Sequence, residues 1–538
     1  MARGKRQPPT PRADRAVHAV AGVRSACFRR ATRSRRRGMT ALLVLLLISV
    51  TLGLSYAAIR SQLMVSRIQQ NALRRNDARH AAVTGLTIAL KKMHTDAWAG
   101  VDTTLTGDLN DYERFEVTYA TGDASLREGD EEWSEYPYRV TLTATGYAED
   151  YTGSGAVSTY RVCAVVRLIP RAVADPPGSV SQTDWEAMGD YTVYQHAAGT
   201  FELSVPCRFE GPVRAQQEIE YGDEYAWSDD VRDQYWSDLE NLRQAAKTDW
   251  RPFDGPLHLP FDEQNGYRAG STSFFEDQMG WKLADTPEAS AGLSFPSGWT
   301  TYRLYPGGKQ YSAEPLRSRL ENVGYEPDML TNPLGLFYRT GGSMDLYDNV
   351  TIRGTIVGEG SWDGDIHLRG TNIVIQPTEL PALAGSSKPI RLPAMIIEDD
   401  FRVHDGADVA LSGVVFCNDD FEARATDQAD VAFRLAGRLL ARNIMVDGRN
   451  EWGDQTHGWW QALHNAYKTQ EGDEGGIANF VVYLAKFTGL NPEPQITIVA
   501  EETEADDRWP DFSQPIYVPG SADDDGLRWD LIEWTENP

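Results

Sequence analysis

The sequence predicts an α+β N-terminal module, one long membrane helix with a small antiparallel sheet, followed by a mainly-β region that is a right-handed parallel β-helix with an insertion. Three observations predict it. An uncharged run from Met39 to Ile59 passes without proline into an amphipathic pattern that reaches Trp98. Period-two runs of Val, Thr and Tyr occupy residues 115–168. In the second half of the chain, short apolar motifs recur about every 20–24 residues.

The charge is unevenly divided. Residues 1–38 hold twelve Lys/Arg and one acid, Asp14, so a leader of +11 precedes 500 residues of −37 within a formal net charge of −26. A chain of 538 residues needs more than one core. With 41% hydrophobic residues it can build them. Four cysteines exclude a disulfide-dense scaffold. The acidic total excludes a general nucleic-acid binder, because it repels phosphates.

Met39–Ile59 directly follows Gly38 and is bracketed by Arg37 and Arg60. As a helix it spans about 32 Å, enough for a bilayer core. Met39, Leu43, Gly53 and Ile59 mark its course. The basic cluster before it keeps that end in the cytoplasm and places everything after Arg60 outside. Beyond Arg60, apolar residues recur at three-and-four spacing: Leu63, Ile68, Ala72, Val83, Leu86, Leu90 and Met93. One helix over 39–98 is about 90 Å long. A plain signal anchor, or a secretory signal cut near Ser55-Tyr56-Ala57, has no use for such a continuation.

The basic leader RSRRRG ending at Gly38, the uncharged run from Met39 and the long helix together resemble the type IV pilin superfamily. The resemblance implies a prepilin peptidase cutting between Gly38 and Met39 and methylating the new N-terminus. It also implies a membrane helix that packs with other pilin-like subunits. The family usually has Glu at the fifth mature position, and this chain has Leu43. That departure resembles minor pilins and tip pseudopilins, with the PilX/GspK-like types the nearest.

The helix is followed by a Gly/Thr/Asp-rich turn from Gly100 to Asp111 and three alternating runs, Phe115–Tyr119, Tyr138–Ala144 and Tyr160–Leu168. These are a small sheet over 99–170. Residues 171–182 read as a linker, residues 183–500 as a repeat domain, and residues 501–538 as an acidic tail.

The repeat is explicit. Met344-x-Leu346 with Val350-x-Ile352-x-Gly354 matches Phe401-x-Val403 with Val409-x-Leu411-x-Gly413, and again Phe421-x-Ala423 with Val431-x-Phe433. A further copy starts at Arg438 and places Asn443–Val446 in the Phe position, and shorter variants begin at Cys207 and Ile366. Three short strands per copy, with Gly, Asn or Asp at the corners, are what a parallel β-helix requires. Such a head is similar to the polymer-forming type of parallel β-helix. The repeat is interrupted over about 221–340. There Ser228–Ala246 reads as an amphipathic helix, and Leu316, Leu320 and Val323 as a shorter one. Trp459, Trp460, Leu463 and Tyr467 mark a later helix, and Ile496–Val499 a last strand.

No HExxH, P-loop, GxSxG or CxxC motif occurs, so no catalytic residue, metal site or cofactor is expected. His457 and His464 lie seven apart but read as packed or solvated. Cys163, Cys207 and Cys417 lie on the outside and allow at most one disulfide; Cys163 and Cys207 alternate with apolar residues and read as buried thiols, and Cys27 leaves with the leader. The acid clusters Asp523–Asp525, Asp506-Asp507 and Asp399-Asp400 with Asp419-Asp420 have the chemistry of calcium ligands. They read as solvated turns.

The expected function is therefore that of a minor pilin or pseudopilin-like structural component of a type IV pilus or type II secretion assembly, not an enzyme. It is a single-pass inner-membrane protein with its head in the periplasm or at the cell surface. Its expected partners are the membrane, the prepilin peptidase and other pilin-like subunits, with no nucleic acid. The alternative is a membrane-tethered extracytoplasmic β-helix enzyme or carbohydrate-binding protein. Carboxylates or an Arg on one strand face of adjacent repeats would distinguish it. The acids are expected at turns and Val, Leu, Ala and Phe in the strands.

Overall fold

A proline-free stretch with glycine only at Gly38, Gly53 and Gly85 forms a single helix, α1, Arg37–Met93. The computed structural model describes residues 37–150, 155–172, 185, 188–203, 207–216, 219–220, 255–259, 261–262, 266–267, 282–285, 295–296, 298–360, 363–424, 431–447, 496–500, 505–520 and 528–537. The leader before Arg37, the helix expected over Ser228–Ala246, Ala429-Asp430, His457, Trp459, Trp460, Leu463, His464, Tyr467, Asp523–Asp525 and most of the linker lie outside the described residues. The chain divides into two units, residues 1–73 and 74–538.

In the first unit the described residues are all helix. Met39, Leu43 and Ile59 are exposed, and nothing approaches Gly53. This is one helix long and apolar enough to cross a membrane.

In the second unit the last turns of α1 bury Ala78, Ala82, Leu86, Ala89 and Met93 against an antiparallel sheet. The helix stops at Met93, short of the expected Trp98. Thr95 and Trp98 close turns back onto Lys92 and Thr95, and the Trp98 ring packs against Tyr119, Tyr305 and Trp529. The sheet is β1 (Thr104–Asp108), β2 (Glu113–Thr121), β3 (Arg139–Glu149) and β4 (Val157–Leu168), in that order. β1 occupies part of what reads as a turn in the sequence. A Cβ at Gly146 would collide with the Ala78 carbonyl and the Ala82 nitrogen, so glycine there is what lets the helix press on β3.

The fifth strand is Trp529–Asn537, the end of the chain, antiparallel to β4. The acidic tail thus ends as a sheet strand. Glu536 fixes it to the helix, accepting from Arg79 Nε at 2.7 Å and from the Tyr160 hydroxyl at 2.9 Å. Those hydrogen bonds hold its carboxyl down to about 2.

The repeats form three rows of parallel strands. The first row is Lys282–Asp285, Pro256–Leu259, Val213–Arg214, Val193–Gln195, the second half of Ala432–Ala441, the second half of Asp408–Cys417, Met395–Ile397, Thr355–Glu359, Leu336–Thr340 and Glu314–Pro315. The second row is Ile219–Glu220, Phe201–Leu203, Asn443–Asp447, Asp420–Arg424, Phe401–Val403, Ile366–Leu368, Met344–Leu346 and Arg319–Leu320. The third row is Cys207–Glu210, Ile496–Val499, the first halves of Ala432–Ala441 and Asp408–Cys417, Ile373–Gln376, Val350–Arg353 and Val323–Tyr325.

From Glu314 onward the chain visits first, second and third row in a repeating cycle. Inward side chains of all three rows form one hydrophobic cluster, with Phe401, Phe421 and Phe433 in mutual ring contact. No sheet among the described residues closes on itself.

Two readings of the sequence are corrected. Leu316, Leu320 and Val323 are not a helix. Glu314–Pro315, Arg319–Leu320 and Val323–Tyr325 are one strand in each row, already in register with the repeat. Three-and-four spacing arose because each short strand contributes one apolar residue to the common core, while Pro315 and a left-handed Asn322 (φ 52°) break any helix. Second, the repeat is not interrupted throughout 221–340: Pro256–Leu259 and Lys282–Asp285 stack beyond Val213–Arg214, and the strands from Glu314 to Thr340 lie in all three rows.

Candidate functional site

In every repeat motif the residue written x lies between two inward apolar residues and so faces out. Register aligns Asp345, His367, Arg402 and Glu422 on the outward face of the second row, on four adjacent strands. Neighbours in such a line are about 4.8 Å apart. The expectation that the strands carry only apolar residues and the acids only turns is therefore corrected. The inward half of each strand is apolar and the outward half of these four strands is ionisable, Met445 ending the line on the next strand.

The acids that precede each strand join the line. Arg402 is ion-paired with Asp400, with Asp365 at 3.3 Å and with Glu422 at 3.2 Å. Asp400 also accepts from the Asp420 backbone N–H at 3.2 Å, and the Asn443 amide donates to Asp420. On the other side His367 Nδ1 and His404 Nε2 are 2.8 Å apart, and Arg369 donates to Asp345 at 2.7 Å. Beneath them the Cys417 thiol donates to the Asp399 and Asp420 carbonyls. Burial pushes that thiol up, so it is an inert core group, whereas Cys163, read as a buried thiol, is partly exposed.

Asp399 and Asp400 are 9% and 8% exposed, far more buried than solvated turn acids. Burial and the neighbouring Asp365 push the Asp399 carboxyl up to about 6. Burial and the Asp420 charge push Asp400 up to about 7. Asp419 is raised by burial and by Asp420, and His367 is lowered by burial and by Arg369.

Oxygens of Asp365, Asp399 and Asp400, and of Asp400, Asp419 and Asp420, lie within 4.8 Å of one another. These two trios are the groups among the described residues that can hold a hard divalent cation, which favours carboxylate oxygen. Chemically the site can also hold a proton near neutral pH beside a fixed guanidinium, the environment a general acid needs.

A second concavity, about 440 Å³, is lined by Tyr138, Arg167, Leu168, Met329, Thr378 and Leu380. Of its charged groups, Glu135 and Arg167 are paired with each other at 3.2 Å, and Glu379 also lines it.

The sequence reading placed Asp399-Asp400 and Asp419-Asp420 together correctly. It missed Asp345, Asp365, His367, Arg402, His404 and Glu422, although four of these are the x of a motif it quoted. It also missed a ladder at the corner before the third row. There Asn322, Asn349 and Asn372 are all left-handed, and the Asn349 and Asn372 amides each donate to the preceding Asn at 2.9 and 3.0 Å. The signal was an Asn before Val or Ile at the start of three successive third-row strands. Asp506 and Asp507 are in a strand beside Ile390–Arg391, and Asp507 is ion-paired with Arg391 at 3.0 Å.

No protein-family model matches the chain, and neither a curated protein nor a solved structure matches it.

Proposed function

We propose that the chain is a minor pilin or pseudopilin-like structural component, anchored in the inner membrane by α1 and displaying its strand rows as a head outside. One observation carries this reading. A single helix is wholly exposed and uncharged over Met39–Ile59, yet over Ala78–Met93 is the buried spine of an antiparallel sheet. An anchor alone needs no second half, and a core helix would not expose its first. We read the head as a right-handed parallel β-helix. Three parallel rows, visited in cyclic order around one apolar column, support it.

On this reading the leader stays in the cytoplasm, a prepilin peptidase cuts after Gly38, and the helix from Met39 packs with other pilin-like subunits. Mass spectrometry of the mature N-terminus tests it. An N-methylated Met39 is expected. An intact leader, or a start at Ala58, overturns it.

A second reading, a membrane-tethered β-helix enzyme or carbohydrate-binding protein, is favoured by one specific observation. Arg402 and carboxylates share the outward face of adjacent strands. Its test is release of reducing ends from neutral and acidic polysaccharides. Activity that Asp400→Asn abolishes without unfolding the head would establish it, and no release by the wild-type chain rejects the enzyme.

A further inference from the structure

Outside Met39–Ile59, exposed large apolar side chains cluster in two places among the described residues; the others stand singly. One is the helix segment bearing Leu63, Met64, Val65, Ile68 and Leu73. The other is the C-terminal strand, where Leu531, Ile532 and Trp534 are 49%, 42% and 37% exposed.

Their charges are opposite. At helical spacing, Arg60, Met64, Arg67, Ile68 and Arg75 share one face of α1, and these three arginines are exposed. The strand intersperses its apolar residues with Asp530, Glu533 and Glu536. It is also an edge, paired only with β4. Its register slips between Leu531 and Glu533, which leaves Ile532 without a partner. Edge strands are ordinarily blunted by charge, proline, a bulge or covering chain. This one has acids and a bulge, yet keeps three large apolar side chains exposed between them.

We propose that the C-terminal strand of one copy docks the basic helix face at 60–75 of a second copy. Apolar Leu531, Ile532 and Trp534 meet Met64 and Ile68, and Glu533 faces Arg67 and Arg75. The occupant is a second copy because, among the described residues, this chain itself carries the surface with the complementary charge and apolar content. The contact is heterologous, so it propagates from copy to copy rather than closing on itself as a two-fold dimer does. It does not depend on cleavage at Gly38, so an intact leader would leave the result below unchanged.

The experiment uses the full chain in lipid bilayers, with a photoreactive benzoylphenylalanine in place of Ile532 and a mixture of isotopically heavy and light copies. Heavy-to-light adducts between the 532 peptide and the 60–75 peptide are expected. Arg67→Glu with Arg75→Glu should lower their yield about tenfold, and adding Glu533→Arg should return it to within about threefold of wild type. Raising the salt should lower the yield, since exposed charges are screened. Adducts to lipid alone, to peptides outside 60–75, or only within one copy overturn the proposal. So does a yield indifferent to the charge reversal.

Discussion

The outward faces of the first and second rows lie on the same strand stack and back the same apolar column, yet they differ over most of their length. Along the first row the outer side chains of Leu336, Val357, Ile396, Phe416, Leu440 and Tyr194 are buried in a second hydrophobic cluster with α1 and the small sheet, and the line turns polar only at Arg214 and His258. Over four adjacent strands of the second row the outer side chains are Asp345, His367, Arg402 and Glu422, half-buried or buried. One face is used for cohesion. The other pays to keep like charges together, which no demand of the core explains. Where structure spends stability without structural gain, function is the place to look.

The comparison can be tested by substitution. The largest effect belongs to the shared column: Phe421→Ala, which removes a ring packed on Phe401 and Phe433, should cost about 3–5 kcal/mol in chemical denaturation. On the covered face, Leu440→Ala should cost about 2–4 kcal/mol. An equal loss from Arg434→Ala, which is exposed on the third row, would erase the distinction between faces; its expected effect is within about 0.5 kcal/mol.

On the charged face the sign reverses. Asp400→Asn should stabilise the cation-free head at pH 7.5 by about 1–2 kcal/mol, because a raised carboxyl disfavours its ionised folded form. The stability Asp400 contributes is fully present below its unfolded value near 4 and is lost as pH rises through about 7. The variant's advantage should therefore shrink on acidification from pH 7.5 to 5, read as a converging pair of Tm profiles. His367 acts oppositely, since its lowered value removes stability as pH falls, but it acts on both chains and cancels in the difference. At the corner, Asn349→Ala breaks two amide hydrogen bonds and puts alanine, which lacks asparagine's tolerance of the left-handed region, at φ 57°, for about 1–2 kcal/mol by thermal denaturation.

Much of this was legible because it is periodic. Charge and hydropathy marked Met39–Ile59, alternation marked β2, β3 and β4, and motif spacing marked the strands at 344–352, 401–411 and 421–433. What was not legible is what periodicity discards. Writing Phe401-x-Val403 keeps the inward residues and drops Arg402, so the rule that found the strands hid the ladder. Strands of two or three residues defeat spacing altogether, which is why Leu316, Leu320 and Val323 mimic a helix. Pairings across hundreds of residues leave no local trace, and Trp529–Asn537 against β4 is one of them.

That last pairing has a consequence in time. A chain is made from its N-terminus onward. Here the strands at 193–195, 201–203 and 207–210 each lack a neighbour until 432–499 exist, and β4 stays an open edge until Trp529–Asn537 arrives. Neither the sheet nor the stack can be finished early. A product interrupted anywhere before Trp529 keeps an unpaired strand edge, the feature by which incomplete β proteins aggregate. Completion of the sheet thereby waits on Trp529–Asn537.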